Sequence, residues 1–342
     1  MNRRIMRTII WIVNTIVGIR VKKDAVYWSC LVKEGMRMVQ ANRRVNRARG
    51  TKLQRADEWW AYLFIAPQFL GIMAFTLFPA VAAIFISFTK WDFINFPRWI
   101  GMANYRDVLS DKLTLKVILN TLYFIVGNVP FTLGIALCLA LMLDTKIRGV
   151  VVFRTAFFLP SITSAVAVSL VWSWLLNPEM GLVNAMLMNL GLPAPGWMAS
   201  LEWAMPSVIL VAIWQWSGYN AVILLAGLKA IPSTYTEAAR IDGANAVQTF
   251  FKIRLPMLTP SLFFVLTMML INGMQVFSEP YMMTSGGPAD ATNVLVLQIY
   301  TTAFQFFNMG HASVLSIILF AICMLLTVMQ FRLQEKWVNY DV

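Results

Sequence analysis

The feature that most constrains this chain is a series of long windows without a charged residue. A helix needs about 20 mainly apolar residues to cross the hydrocarbon core of a membrane. The first five windows each hold one span, and the last holds a span at about 311–331, preceded by an amphipathic segment outside the membrane. The pattern predicts an all-α integral membrane protein with six transmembrane helices. The windows are 59–89, 117–143, 155–178, 203–228, 255–278 and, interrupted only by His311, 291–331.

Composition agrees with a membrane protein. The 342 residues are 59% hydrophobic and 13% charged, whereas a soluble domain carries about 25% charged residues. We therefore predict a basic N-terminal tail at 1–55, one transmembrane domain at 56–335 and a short C-terminal tail at 336–342.

Positive charge predicts the orientation. Residues 1–55 hold fourteen of the 28 Lys and Arg residues but only two acidic residues, Asp24 and Glu34, so the net charge of +12 lies in this tail. Lys and Arg are retained on the cytoplasmic side. The loop between the fourth and fifth windows, which we call the 4–5 loop, is also basic, whereas 177–202 and 279–309 hold neither Lys nor Arg. Both termini and the 4–5 loop are therefore expected in the cytoplasm.

Two interpretations of the tail remain open. Residues 9–19 are mostly apolar but too short to span a membrane, and basic residues flank them. They could form an amphipathic helix on anionic lipid headgroups, or the tail could have no role beyond topology. Nothing else in the chain supports nucleic-acid binding, and we expect none.

The 4–5 loop is polar and helix-forming, which a simple turn would not require. Thr234 and Glu237 have the spacing of a capping box that starts a helix, and Gly243 suits a left-handed C-cap after Asp242. We expect a second helix through Phe250, stopped by Pro256. The candidate docking residues are Glu237, Ala238, Ala239, Arg240, Asp242, Gly243 and Ala244.

Polar and aromatic groups in the fourth and fifth windows are candidates for a substrate pathway. Asn272, Gln275 and Glu279 follow helical spacing, which predicts one shared helix face. Polar groups inside a membrane helix need a partner or water, so hydrogen bonding between helices is the alternative role. The pathway candidates are Trp216, Gly218, Tyr219, Asn220, Asn272, Gln275 and Glu279.

At this point the sequence resembles a known family. Glu237-Ala238-Ala239, then Gly243, then Ile253 and Leu255-Pro256 reproduce in full the loop signature of binding-protein-dependent ABC transporter permeases. The carbohydrate-importing branch, of the maltose and glycerol-phosphate type, is the most similar. Supporting elements are Trp99-Ile100-Gly101, Phe158-Leu159-Pro160, Asn177-Pro178 and Thr284-Ser285-Gly286-Gly287-Pro288. The 55-residue tail departs from the short leader usual in that branch.

The resemblance implies a permease subunit of the bacterial cytoplasmic membrane that imports a carbohydrate, and we expect that carbohydrate to be an oligosaccharide. The 4–5 loop would be a coupling helix seated on a cytoplasmic ATPase dimer. A second permease subunit and an extracytoplasmic substrate-binding protein are implied partners. No Gly-x-x-x-x-Gly-Lys-Ser/Thr loop is present, so ATP and Mg²⁺ are expected on the ATPase. We expect no cofactor and no catalytic residue in this chain.

Two other classes of membrane protein are alternatives to this interpretation. One is a secondary transporter driven by an ion gradient, which the absence of carboxylate pairs within the windows disfavours. The other is a membrane scaffold or sensor that moves no substrate. The sequence shows no membrane cluster of His, Cys, Asp and Glu with ligand spacing, so we predict no metal site.

Overall fold

The computed structural model describes residues 52–145 and 149–339. Apart from 52–55, the predicted basic tail lies outside the described residues. The described residues divide into two compact units, with the boundary between Ala83 and Ile84. The described part of the first unit is helical, with Lys52–Ile72 followed by a π-helical turn at Met73–Leu77, and the boundary between the units falls within the helix Phe78–Ser87.

The second unit is almost entirely helical in its described residues. A short hairpin pairs Thr89–Lys90 with Arg98–Trp99 in antiparallel fashion. The α-helices are Ala103–Ser110, Lys112–Leu143, Val150–Ile162, Ala165–Leu175, Leu182–Asn189, Ala204–Ala230, Ser233–Ile241, Ala246–Thr249, Leu255–Met274, Ser278–Thr284, Leu295–Tyr300 and Met309–Trp337. Single turns of other type lie at Trp197–Ala199 (3₁₀) and at Phe250–Arg254 and Thr301–Gln305 (π).

The predicted membrane spans are present. Within 52–145 and 149–339, five helical stretches are long and apolar enough to cross a membrane, and one bent helix pair supplies a sixth candidate. We call them spans 1 to 6, with the bent pair as span 3. They are Trp59–Ser87, Lys112–Leu143, Val150–Ile162 with Ala165–Leu175, Ala204–Ala230, Ala246–Met274 and Met309–Trp337.

Span 3 differs from the single straight helix expected at 155–178. Its two helices meet at an angle of 95°, with Thr163 and Ser164 extended between them. Near the end of the first helix, side-chain hydroxyl groups donate hydrogen bonds to backbone carbonyls. Ser161 Oγ donates to the Phe158 carbonyl at 2.7 Å, and Thr163 Oγ1 donates to the Leu159 carbonyl at 3.1 Å. Such side-chain bonds compete with the backbone ladder and favour a bend.

Span 4 lies at the centre of the second unit. Of its most apolar window 61% is buried, against 33% or less in the other four straight spans. It packs against span 2, the first helix of span 3 and span 5. Val208 and Leu224 of span 4 join Val129 of span 2 and Val265 of span 5 in the main apolar core. An apolar helix that is buried over most of its length is typical of the centre of a membrane bundle.

The segment before span 6 is held against span 2. The Leu295 amide donates to Thr121 Oγ1 at 2.9 Å, and Asn120 Nδ2 donates to the Asn293 carbonyl at 2.9 Å. The short helix Leu295–Tyr300 is thereby separate from span 6, as the sequence predicted for 291–309. Span 6 itself extends beyond the expected 311–331 at both ends.

Candidate functional site

A cavity of about 340 Å³ lies among spans 2, 4 and 5 and the helix Ser278–Thr284. Its walls combine aromatic, amide, hydroxyl and thioether side chains with one carboxyl group. The lining residues are Phe124, Asn128, Thr132, Ala165, Ala212, Trp216, Tyr219, Asn220, Met268, Met269, Asn272, Gly273, Gln275, Val276, Phe277, Ser278 and Glu279. Mostly apolar walls with a few convergent polar groups are typical of small-molecule sites.

The predicted helical stripe on span 5 is wrong in its geometry. The helix ends at Met274, where the Gln275 amide donates to the Asn272 carbonyl, and a new helix begins at Ser278. Glu279 therefore does not share a helix face with Asn272. The break turns the chain, however, and all three candidate side chains of the stripe line the same cavity. Asn272 and Gln275 are exposed, whereas Glu279 is buried.

Trp216, Tyr219 and Asn220 of span 4 also line the cavity. The Trp216 and Tyr219 rings are edge-on to each other with centroids 6.1 Å apart. Asn220 is buried, and its Nδ2 donates to the Trp216 carbonyl at 2.9 Å within the same helix. This hydrogen bond of Asn220 lies within span 4, so it does not connect span 4 to another helix.

Gly218 does not line the cavity and has a packing role instead. A Cβ atom at this position would lie 1.7 Å from the Phe157 carbonyl oxygen, deep inside contact distance. Spans 3 and 4 therefore cross so closely that only glycine fits. Gly227 makes a similar close approach to Ser261 of span 5.

Span 2 supplies cavity residues that the sequence did not single out as pathway candidates. Thr132 Oγ1 donates to Asn128 Oδ1 at 3.2 Å, and both residues line the cavity. Phe277 and Ser278 belong to the break after span 5 and were missed as well. The only sequence signal at Asn128 is a polar residue near Pro130 in an apolar helix.

Glu279 is the only acidic residue that lines the cavity, and none of the described lining residues is Lys, Arg or His. Trp216 Nε1 donates to Glu279 Oε1 over a long 3.5 Å. Over 52–145 and 149–339, no three His, Cys, Asp or Glu residues are grouped so that they could hold a metal ion.

The 4–5 loop forms a second candidate site. Its first helix is Ser233–Ile241, and the predicted capping box is wrong because Pro232 occupies the N-cap position and no side chain caps the helix. Thr236 Oγ1 instead donates to the Ser233 carbonyl at 2.8 Å. Glu237 is exposed, so its carboxylate is free for a contact outside this helix.

The end of this helix matches the prediction. Asp242 follows the last helical residue, and Gly243 has a φ of +80°. The Ala244 amide donates to the Ala239 carbonyl at 2.9 Å and the Gly243 amide to the Arg240 carbonyl at 3.1 Å. This left-handed termination favours glycine because other residues are strained there.

The second half of the loop differs from the expectation. A capping box does occur, but between Asn245 and Gln248. The backbone amide of Gln248 donates to Asn245 Oδ1 at 2.8 Å. The helix that begins at Ala246 continues to Met274, so Pro256 does not stop it. The π-helical turn Phe250–Arg254 immediately precedes the α-helix Leu255–Met274, which contains Pro256 in its first turn.

The surface of the loop is suited to contact another protein. Ala239 is buried, whereas Glu237, Ala238, Arg240, Asp242 and Gly243 are exposed and Ala244 is half-buried. Apolar side chains are exposed as well, with Ile241 at 87% and Val247 at 64%. Several exposed apolar side chains on one short polar loop indicate an interaction surface.

Comparisons with known proteins identify relatives over most of the chain. Residues 55–339 match the family described as "Binding-protein-dependent transport system inner membrane component". The probable ABC transporter permease protein YesP of Bacillus subtilis is 38% identical over 84% of this chain and 94% of its own length. The sn-glycerol-3-phosphate transport system permease protein UgpA of Brucella abortus is 35% identical over 82% of this chain and 96% of its own.

A solved structure has the same fold. A chain of the bacterial alginate ABC transporter, crystallised with an alginate pentasaccharide-bound periplasmic protein, superposes with a TM-score of 0.74. The two sequences are 22% identical, and the match covers 84% of this chain and 98% of the other. At this level of identity the likeness shows the fold alone.

Proposed function

Because the chain belongs to the family of binding-protein-dependent transport system inner membrane components, we propose that it is a permease subunit of an ATP-driven importer for a carbohydrate. The observation that carries the proposal is that one chain of this family combines a cavity, lined by several convergent polar groups, beside the central span with an exposed loop suited to docking. The cavity would hold the substrate in transit, and the loop would receive the driving force.

The cavity favours a sugar as substrate. Trp216 and Tyr219 offer ring faces for the apolar sides of a sugar, while Asn128, Asn272 and Gln275 offer amides to its hydroxyl groups. Relatives are named for glycerol phosphate and a solved neighbour for alginate. A short oligosaccharide is our proposal for this chain.

The loop favours a separate motor. Glu237 and Arg240 border a groove that also contains Asp144 and Arg254, so a partner that contacts the loop would also reach the ends of spans 2 and 5. We infer that a cytoplasmic ATPase dimer, which binds ATP and Mg²⁺, contacts Glu237 through a basic group. ATP hydrolysis would then take place outside this chain.

The same proposal defines the rest of the assembly. A second permease subunit supplies the other wall of the pathway, and an extracytoplasmic binding protein delivers the sugar to the opposite face. We propose that both termini lie in the cytoplasm with the 4–5 loop, on the basis of the positive-inside rule. Sugar binding drives the cycle only to the extent that its affinity differs between the inward- and outward-open states.

Co-purification tests this proposal. The tagged chain, extracted in mild detergent from its own host, should co-purify with a single kind of ATPase chain and with a second, different permease subunit. Ile241→Asp should release the ATPase but keep the second permease, because it places a charge on the exposed apolar part of the loop. Leu190→Asp, at a side chain that is 74% exposed but distant from the loop in sequence, is the matched control. Recovery of no ATPase with the unaltered chain would overturn the proposal.

A further inference from the structure

Glu279 combines three properties that suit a residue in contact with a ligand. It is 5% exposed, it lines the cavity, and it lies immediately after the break that follows span 5. An acidic side chain away from bulk water is unfavourable unless it is paired or hydrogen-bonded. A membrane protein that keeps such a residue in a cavity has a use for it.

The partners that the structure provides for Glu279 are few. The ion pairs among the described residues are Arg254 with Asp144 and His311 with Asp107, and Glu279 belongs to neither. Its recorded side-chain contact is with Trp216 Nε1 at 3.5 Å, near the limit for a hydrogen bond. The carboxyl group therefore has acceptor capacity left for a ligand that enters the cavity.

We propose that Glu279 is a specificity-determining residue that restricts the cavity to uncharged carbohydrates and excludes anionic ones. This inference rests on the proposed function and names its substrate class. A carboxylate accepts hydrogen bonds from sugar hydroxyl groups and repels a phosphate, carboxylate or sulfonate at close range. No Lys, Arg or His among the described lining residues offsets that repulsion.

The aromatic walls fit the same substrate class. Trp216 lies against Glu279 and edge-on to Tyr219, whose ring stacks with Phe158 at a centroid distance of 6.3 Å. A neutral sugar can place an apolar face on these rings and a hydroxyl group on Glu279 at the same time. A sugar that has an anionic group in place of this hydroxyl group loses the hydrogen bond to Glu279 and is repelled by its carboxylate.

The inference separates this chain from two proteins that it resembles. One relative is named for sn-glycerol-3-phosphate, and a transporter whose solved structure has a similar fold is described as involved in the import of "the acidic polysaccharide alginate". Both of those compounds are anions. The cavity described here predicts that neither is the substrate of this chain.

Ligand binding to the assembled transporter tests the inference. The complete complex of both permeases and the ATPase is placed in lipid nanodiscs without binding protein, since that protein would select the ligand first. Saturation-transfer NMR then measures binding of a panel of disaccharides, each offered as the neutral sugar and as its uronate. We expect the neutral form to bind at least tenfold more tightly than the uronate.

Variants at one position separate charge from shape. Glu279→Gln keeps the size of the side chain and an acceptor for Trp216, and should reduce the preference to less than threefold without changing the melting temperature. Glu279→Asp should retain the preference, because it retains the carboxylate. Glu202→Gln, at an exposed acidic residue that does not line the cavity, is the matched charge control and should behave as wild type.

The outcomes distinguish this inference from the proposed function. Equal binding of neutral and uronate sugars by the wild type, or an unchanged preference in Glu279→Gln, overturns the inference and leaves carbohydrate import standing. A complex that hydrolyses ATP but binds and imports no sugar overturns both.

Discussion

Arg254, the last residue of the π-helical turn in span 5, forms an ion pair with Asp144, the residue that follows the end of span 2. The two side chains are 25% and 21% exposed. The pair joins the base of the 4–5 loop to a helix that lines the cavity. A displacement of the loop can therefore reach span 2 through this contact as well as through span 5.

Removal of either partner should weaken both the fold and the coupling. We expect Asp144→Asn and Arg254→Gln each to lower the stability by about 1.5–3 kcal/mol, the range for hydrogen bonds to charged groups, and to lower uptake per ATP hydrolysed. Thermal unfolding of the purified subunit and coupled uptake assays measure the two effects.

The matched control for the ion pair is Lys252→Gln, which removes a nearby exposed positive charge without touching the pair. The exchange Asp144→Arg with Arg254→Asp should restore part of the stability. An effect of Lys252→Gln as large as that of Arg254→Gln would mean that net charge matters and the pair does not.

The close crossing at Gly218 predicts a steric effect. Gly218→Ala should lower the stability by about 1–3 kcal/mol, as overpacking does in a tight core, because its methyl group would overlap the Phe157 carbonyl. Gly134→Ala in span 2 meets no atom within 4 Å and should be neutral or stabilising by up to about 1 kcal/mol. Melting temperatures of the two variants, measured in the same detergent, test this prediction. Equal values would show that spans 3 and 4 can move apart to accommodate the added methyl group.

The exposed carboxylate of Glu237 predicts a loss of coupling. Glu237→Lys should abolish ATP-driven uptake, because it presents a like charge to the basic group expected on the ATPase, while the subunit still inserts. Cell fractionation and sugar uptake measure insertion and function separately. Glu179→Lys, at another exposed acidic residue, should leave uptake near wild type. Normal uptake by Glu237→Lys would argue against docking through this residue.

Gln275 predicts a difference between basal and stimulated activity. Its amide lines the cavity from the break after span 5 and is exposed. Gln275→Ala should lower sugar-stimulated ATPase activity of the complex by tenfold or more, about 1.4 kcal/mol, and basal activity by much less. Equal loss of both activities would mean that Gln275 holds the bundle together and does not contact the sugar.

The six spans could be predicted because each depends on local composition alone. The helix end at Gly243 could be predicted as well, since a left-handed residue has a strong sequence preference. The bend of span 3 could not. Pro160 lies two residues before the end of the first helix, but the bend also coincides with hydroxyl bonds of Ser161 and Thr163 and with the close crossing at Gly218, which have no fixed pattern in the chain.

The polar stripe shows how a wrong local expectation can still group the right residues. Asn272, Gln275 and Glu279 were assigned to one helix face, yet they meet because the helix breaks between Gln275 and Ser278. The cavity residues of span 2 were missed because a single amide near a proline resembles many structural amides. Tertiary contact, absent from the sequence pattern, distinguishes them.

The most direct measurement concerns the source of energy. Proteoliposomes that contain this chain, its second permease and the ATPase should accumulate sugar against a gradient only when the binding protein and ATP are supplied. Vesicles that contain this chain alone should accumulate none, with or without an imposed ion gradient. Uphill accumulation by the chain alone would contradict the account.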